Sequence, residues 1–341
     1  MKFGSGLFSM QSHPSTGLVH SEIYKNTLEH AELSEKYGFD SAWLSEHHFL
    51  EDGYCPSVLV MAAAMLARTS RLQVGTSILI LPLHDPVRVA EDAVVLDNIS
   101  NGRFNLGVGL GYRQEEFDGF GIPIKQRASR FEESVNVLQG SWKDRNFSFP
   151  GRKFNYNKLN VTPRPVNKSG IPLYIGAFEE PAIRRAGRLG IPLMIGPGRT
   201  TSMIRETLDF YNDEARKHSV DYSNIKHILL RETYVHAESR KAREIGEMLI
   251  INMYRFYFKL GIKITIRGKQ VREINDPLFQ HLAEDRFIIG DPDYCKDELI
   301  RYKEQTGIDY FLTRMVFPQS TDEMIRDSIS VFGKKVISHF N

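Results

Sequence analysis

Short runs rich in β-branched and aromatic residues alternate along this chain with stretches whose apolar positions recur every three to four residues. Eight of the short runs read as strands: Lys2 to Phe8, Ser41 to Ser45, Gln73 to Ile80, Phe104 to Gly109, Pro172 to Gly176, Pro192 to Ile195, His227 to Val235 and Tyr310 to Met315. Between them lie amphipathic helices. Val87, Ala90 and Val94 share one helical face, as do Ile325, Ser328, Ile329, Phe332 and Val336 near the end. Asp85-Pro86 and Asp291-Pro292 each place an N-capping carboxylate before a proline at the first helical position, marking helices entered from the strand side. Eight strand-then-helix repeats predict an α/β fold, a TIM (β/α)8 barrel filled by side chains, with its chemistry at the C-terminal ends of the strands. We expect a single barrel domain over 1–341 with two insertions. The segment 146–166, with Pro150, Gly151, Pro163 and Pro165, reads as irregular or hairpin. The segment 258–287 is as consistent with a mobile lid as with a structural excursion.

Composition narrows the class. Of 341 residues 41% are hydrophobic and 25% charged, with a net charge of +2, the balance of an ordinary globular chain rather than a nucleic-acid binder. No apolar run approaches the length of a membrane span, and Met1 to Phe8 is too short and glycine-rich for a secretory signal. Two isolated cysteines, Cys55 and Cys295, suggest a reducing compartment, so a cytoplasmic protein is expected. Cys55 reads as a part-buried small residue rather than a nucleophile.

Candidate chemistry clusters at predicted strand ends. Trp43-Leu44-Ser45-Glu46-His47-His48-Phe49 closes the second strand, and alternation would set Trp43, Ser45 and His47 on one side and Leu44, Glu46 and His48 on the other. A histidine at that address can move protons near neutral pH, with a neighbouring carboxylate to fix its tautomer. The triplet lacks metal-ligand spacing, so no metal is expected. Gly107, Gly109 and Gly111 form G-x-G-x-G, short of a dinucleotide fingerprint; with Leu110 they leave backbone open to a flat ligand, or else mark a tightly packed strand end. Gly176-Ala177-Phe178-Glu179-Glu180-Pro181 leads a strand into a helix whose N-terminus would suit a phosphate, although the glutamates oppose an anion. Arg130 is a candidate compensating cation, and a surface ion pair is the commoner fate of such a residue. Arg314, near the end of the eighth strand, reads equally as a binder of an acidic group or half of an ion pair.

Ser45-Glu46-His47-His48-Phe49, Val74 to Pro82, His84 to Asp92, Ser100-Asn101-Gly102-Arg103-Phe104 with Gly107-Val108-Gly109, Ala186 to Gly190 and Phe287 to Pro292 follow in an order and spacing that resembles the bacterial-luciferase-like flavin monooxygenase family. That resemblance implies a TIM barrel, usually a homodimer, binding reduced flavin mononucleotide (FMN) or, in one branch, a 5-deazaflavin coenzyme. It implies that His47 is the catalytic histidine, with His48 beside it and Glu46 the preceding acid. It further implies that Thr76, Ser77 and Ile78 line the flavin with a non-prolyl cis peptide at Ser77–Ile78, that Gly109, Leu110 and Gly111 line its pocket, and that Gly176 to Glu179 hold its phosphate. Leu110 stands where bacterial luciferase has arginine, and Phe178-Glu179-Glu180 where many relatives have serine or small residues. The Glu46-His47-His48 triplet resembles the FMN branch. The expected activity is oxidation of a small, apolar organic substrate with dioxygen, the reduced flavin coming from a separate NAD(P)H flavin reductase, with no nucleic-acid or membrane partner. The alternatives are deazaflavin-dependent hydride transfer and a non-catalytic flavin-binding protein.

Overall fold

A computed structural model describes residues 1–340. Eight parallel strands close on themselves: β1 (Lys2–Phe8), β2 (Ser41–Leu44), β3 (Gln73–Thr76), β4 (Phe104–Gly109), β5 (Leu173–Gly176), β6 (Leu193–Ile195), β7 (Ile228–Val235) and β8 (Tyr310–Arg314). Neighbours pair in that order, β6 pairs with β7, β7 with β8, and β8 returns to β1 with Lys2 opposite Tyr310 and Gly6 opposite Arg314. The predicted barrel is therefore present, strand for strand. The third run is interrupted: Gln73–Thr76 is followed by Ser77–Ile78, whose peptide bond is cis, and then by Leu79–Ile80, which pairs with Val108 and Gly109.

Period-two alternation decides which side chains fill the barrel. Trp43, Met194, Ile228, Leu230, Tyr310 and Leu312 form an interior cluster with Leu7. Phe3, Leu44, Val74, Leu106, Val108, Ile175, Leu193, Leu229 and Phe311 join the separate, larger core that includes helix residues such as Val89, Val94, Leu299 and Ile329. Each such buried aliphatic or aromatic side chain contributes about 1.5–3 kcal/mol. Trp43 sets the shape of the interior. Its indole Nε1 donates to Ser41 Oγ at 2.8 Å, and its ring meets Tyr174 edge-on at 5.8 Å. A Cβ on Gly75 would lie 2.3 Å from that indole, and one on Gly4 2.7 Å from its Nε1, so both strands bring glycine where the tryptophan lies.

The helix caps follow the local chemistry. Asp85 Oδ1 accepts from Val87 N at 2.9 Å and Arg88 N at 3.1 Å, and Asp291 Oδ1 accepts from Asp293 N and Tyr294 N in the same way. The segment 147–159 is an antiparallel hairpin, Phe147–Pro150 with Asn155–Leu159. After β7, helix Ser239–Lys259 leads to a second hairpin, Ile264–Ile266 with Lys269–Val271, and then to strand Phe287–Gly290, which lies parallel to the C-terminal half of β7. That excursion packs around its own cluster of Leu249, Ile250, Met253, Tyr254, Ile266, Val271 and Phe287. Among the described residues no helix is long and apolar enough to cross a membrane. Cys55 and Cys295 are both free and buried, and burial pushes the Cys55 thiol up to about 11, which keeps it protonated at neutral pH.

Candidate active site

The strand-end run after β2 divides between two buried networks. Trp43 points into the barrel, and the alternation carries past the end of the strand to Ser45 and His47. Ser45 Oγ accepts from the Tyr54 hydroxyl at 2.7 Å. His47 lies edge-on to the Tyr54 ring at 4.7 Å and to the Tyr112 ring at 5.6 Å. Its backbone N–H donates to Cys55 O at 3.2 Å, and its Nδ1 meets Glu116 Oε1 at 2.7 Å.

Glu116 sits on the short helix Gln114–Gly119 and is fully buried. The same carboxylate oxygen accepts from His48 N at 3.0 Å and Arg113 Nη1 at 3.2 Å. Burial alone would raise its pKa, but the His47 bond and charge, His48 N–H and Arg113 together hold it below the ordinary glutamate value. An ionised carboxylate at Nδ1 places the imidazole hydrogen on that nitrogen and leaves Nε2 as the acceptor, with Tyr112 OH 3.3 Å away. Nothing in the spacing of residues 47 and 116 announces this pair. The available signal was an acidic residue in the first turn of a helix directly after a glycine-rich strand end.

Glu46 and His48 face the other way. Glu46 Oε1 accepts from His48 Nε2 and from His84 Nε2, each at 2.9 Å, and Oε2 accepts from Ile80 N. The three side chains carry the donor types of a metal site, with ligand atoms within 4.8 Å of one another, and every close approach among them that involves Glu46 is also a hydrogen bond. His48 is further fixed by Arg113 Nη1 on its carbonyl at 2.8 Å and by the Phe120 ring at 4.8 Å. These contacts join β2 to the segment after β3 through Glu46 and His48, while the His47 ring lies against the tyrosines.

Burial would raise the Glu46 carboxyl, but hydrogen bonds from His48 and His84 bring it down to about 2, from 4.5. Because the folded value is depressed, this carboxylate stabilises the fold fully above pH 4.5, and its contribution is lost as the pH falls through about 2. Urea unfolding of the wild type and Glu46→Gln should therefore differ at pH 5 by about 1–3 kcal/mol for a lost buried charge-assisted bond. The gap should narrow in acid. A gap independent of pH down to 3 would contradict the assignment.

On the far side of the mouth Ile78 lies across two glycines. A Cβ on Gly109 would stand 2.7 Å from Ile78 Cδ1, and one on Gly176 2.8 Å from Ile78 Cγ2, so both positions must lack side chains for Ile78 to lie there. Gly111 has φ +70°, and a Cβ there would meet Ile80 and Phe117; Leu110 beside it packs against the main core. Thr76, expected against the flavin, has its hydroxyl engaged elsewhere. It donates to Gly107 O at 2.6 Å and accepts from Gly107 N at 3.0 Å, tying β3 to β4.

The Gly176 to Glu179 loop enters helix Glu180–Leu189, with Ala177 buried and Phe178 and Glu179 exposed. Arg130 is not its partner here. Its Nε donates to Pro82 O at 2.9 Å and its guanidinium lies 4.8 Å from the Phe154 ring centre, and none of its contacts involves the loop. The cation at the loop is Arg199, which donates to Phe178 O and whose buried Nε has no acceptor. It follows β6 by four residues and carries no motif that would single it out.

The strand ends of β7 and β8 complete the rim. Glu232 and Arg314 are register partners and both fully buried, with Nη1 to Oε1 3.7 Å. Arg314 also donates from Nη1 to Tyr257 OH, and Nη2 lies 3.3 Å from Met253 Sδ. Both Glu232 oxygens lack a hydrogen-bond donor. The acidic group opposite Arg314 is thus supplied by the chain itself.

The luciferase-like monooxygenase family profile matches residues 1–310. The alkanal monooxygenase alpha chain of Photorhabdus laumondii subsp. laumondii is 31% identical over 257 residues, 75% of this chain and 71% of that protein. A crystal structure of a monooxygenase from Streptomyces bottropensis aligns over all of both chains with a TM-score of 0.88 at 22% identity. The oxygenating constituent of 3,6-diketocamphane monooxygenase from Pseudomonas putida, a type II Baeyer–Villiger enzyme solved with FMN, aligns at 0.80 over 98% of each chain with 18% identity. A coenzyme F420-dependent secondary alcohol dehydrogenase, solved with an F420–acetone adduct, aligns at 0.76 over 99% of each chain with 21% identity. A closed eight-stranded barrel, a strand-end histidine held by a buried carboxylate and a match over most of the length together place this chain in the luciferase-like monooxygenase family.

Proposed function

We propose that the protein is a monooxygenase that takes reduced FMN from a separate NAD(P)H-dependent flavin reductase and uses dioxygen to oxidise a small organic substrate. The observations that carry this reading are the His47–Glu116 pair at the end of β2 and the Ile78 side chain packed over Gly109 and Gly176 at the ends of β4 and β5. The outer face of Ile78, whose side chain covers both glycines, is the surface on which a planar ring system would rest. Bound reduced FMN would supply the electrons for reaction with dioxygen.

The rest is done by this chain's own residues. Glu116 fixes the His47 tautomer, so Nε2 can take a proton and return it. Tyr54 and Tyr112 present their rings edge-on to that imidazole, and Phe256 stacks on Tyr54. The Gly176 to Glu179 loop, the first turn of helix Glu180–Leu189 and Arg199 would hold the phosphate. Glu179 and Glu180 are exposed, so solvent screens the repulsion they would exert. The reading favours FMN over a deazaflavin on the Glu46-His47-His48 triplet. It also implies a homodimer: Val60, Val95 and Ile99 are 69%, 46% and 55% exposed on helices Val58–Arg68 and Pro86–Ser100, an apolar face suited to a second copy.

Anaerobic titration with reduced FMN and with reduced coenzyme F420 tests the cofactor, and sedimentation of the same samples tests the pairing. We expect FMN to bind at least tenfold more tightly, about 1.4 kcal/mol, to a species of twice the chain mass. Preference for F420 would replace the oxygen reaction by hydride transfer. Binding of neither would overturn the flavin reading.

A further inference from the structure

Tyr257 is a phenol beside the mouth whose oxygen accepts a hydrogen bond while its own proton has no acceptor among the described residues. Tyr257 lies on helix Ser239–Lys259, in the excursion between β7 and β8, and its oxygen receives the Arg314 guanidinium. A guanidinium only donates, so this bond occupies a lone pair of the phenol and leaves its hydrogen free. The neighbouring phenols differ. Tyr54 donates to Ser45 Oγ, and Tyr112 lies within reach of His47 Nε2. No acceptor for the Tyr257 hydrogen is present among the described residues.

Its position is defined from both sides. Phe256 stacks on Tyr54 with ring centres 6.4 Å apart and planes 14° apart, and Tyr54 is the ring that meets His47 at 4.7 Å. Tyr54 and Tyr112 both feel the Tyr257 oxygen, which makes each harder to ionise. Behind Tyr257 stands a fixed charge arrangement. Arg314 is fully buried at the end of β8, 5.4 Å below the Tyr257 ring centre, and Glu232, its register partner, balances it. Burial raises the Tyr257 phenol above its ordinary value and Arg314 pulls it back, so at neutral pH the group keeps its proton. A hydroxyl whose oxygen accepts from a cation is polarised toward donation, and the half-buried Tyr257 hydroxyl is such a donor.

We propose that Tyr257 is the substrate-binding donor of this site, hydrogen-bonding a carbonyl oxygen of the organic substrate, with Arg314 as its positioning residue and Glu232 as the balancing charge. The substrate is accordingly not purely apolar. It carries an acceptor oxygen at the end that faces Tyr257, and a hydrocarbon of the same length leaves the donor unmet. The flavin-monooxygenase reading enters only in placing the substrate in this mouth.

The test uses the full-length protein loaded with oxidised FMN, and n-decanal labelled with ¹³C at the carbonyl as the probe, with n-decane as the comparison. Infrared difference spectra of bound decanal should show the carbonyl stretch lowered relative to decanal in hexane. Tyr257→Phe, which keeps the ring, should abolish that lowering, weaken decanal binding about tenfold, and leave decane and FMN binding unchanged. An unshifted carbonyl in the wild type, or a shift that persists in Tyr257→Phe, overturns the proposal, as does failure of the wild type to bind decanal. The FMN titration is read separately: a carbonyl shift that depends on Tyr257 in a protein that binds no FMN would sink the flavin reading and support the donor. Thermal unfolding of the variant checks that it folds, and the wild-type spectrum decides the matter if it does not.

Discussion

His47→Ala should lower turnover with reduced flavin by about 10²- to 10⁴-fold, the range for removing a positioned acid/base group, with little change in flavin affinity. The expectation follows from geometry: a buried carboxylate 2.7 Å from Nδ1 leaves Nε2 as the working nitrogen. Glu116→Gln keeps the shape but replaces the anion with an amide, which can orient the ring either way and no longer stabilises its protonated form. Its turnover should therefore fall less than that of His47→Ala. Since the two residues act as one unit, the double variant should be no worse than His47→Ala alone. Additive losses in the double variant would mean that Glu116 acts through something other than His47. Oxygen uptake with a responsive substrate, measured from pH 5 to 9 for the three variants, decides between these outcomes.

Gly107→Ala should destabilise the barrel by about 3 kcal/mol or more, at the upper end of overpacking costs. A Cβ at that position would lie 2.0 Å from Thr76 O and 2.7 Å from Met194 Sδ. The first of these is backbone of the adjoining strand, held by the Thr76 hydroxyl on both the N–H and C=O of Gly107, so it cannot step aside cheaply. Against a typical total of about 5–15 kcal/mol, such a loss shifts the urea midpoint strongly. Gly109→Ala provides the contrast. Its Cβ would meet Ile78 side-chain carbons at 2.7 and 2.9 Å, atoms that can move at the expense of the surface Ile78 presents. That variant should fold and lose flavin affinity. Equal stability of Gly107→Ala and the wild type would show that the strands can part at Thr76 without cost.

The expectation of an apolar substrate and the chemistry of the mouth now differ in a way that can be measured. The Tyr112 hydroxyl faces His47 Nε2, and Trp43 lies in the barrel interior. Three tyrosines, an imidazole and a buried ion pair make the rim more polar than a count of aromatic residues suggests.

The barrel was legible because its signals are local. The β-rich run Ile228 to Val235, periodicity in Pro86 to Ser100 and the Asp-Pro caps each depend on residues a few positions apart, and a parallel sheet with short connections then has few ways to close. The location of His47 was legible for the same reason, since the alternation from Trp43 carries three residues beyond the strand to His47. Only the tertiary structure decided its partner, because Glu116 is 69 residues away and reaches it through barrel closure. The same holds for Glu232 with Arg314, which meet by register across β7 and β8, and for Arg199 rather than Arg130 beside the Gly176 loop. A hydroxyl or guanidinium at a strand end has a readable address in sequence, but whether it is spent on a neighbouring strand, as with Thr76, or left free, as with the Tyr257 proton, depends on contacts between segments that sequence periodicity does not encode.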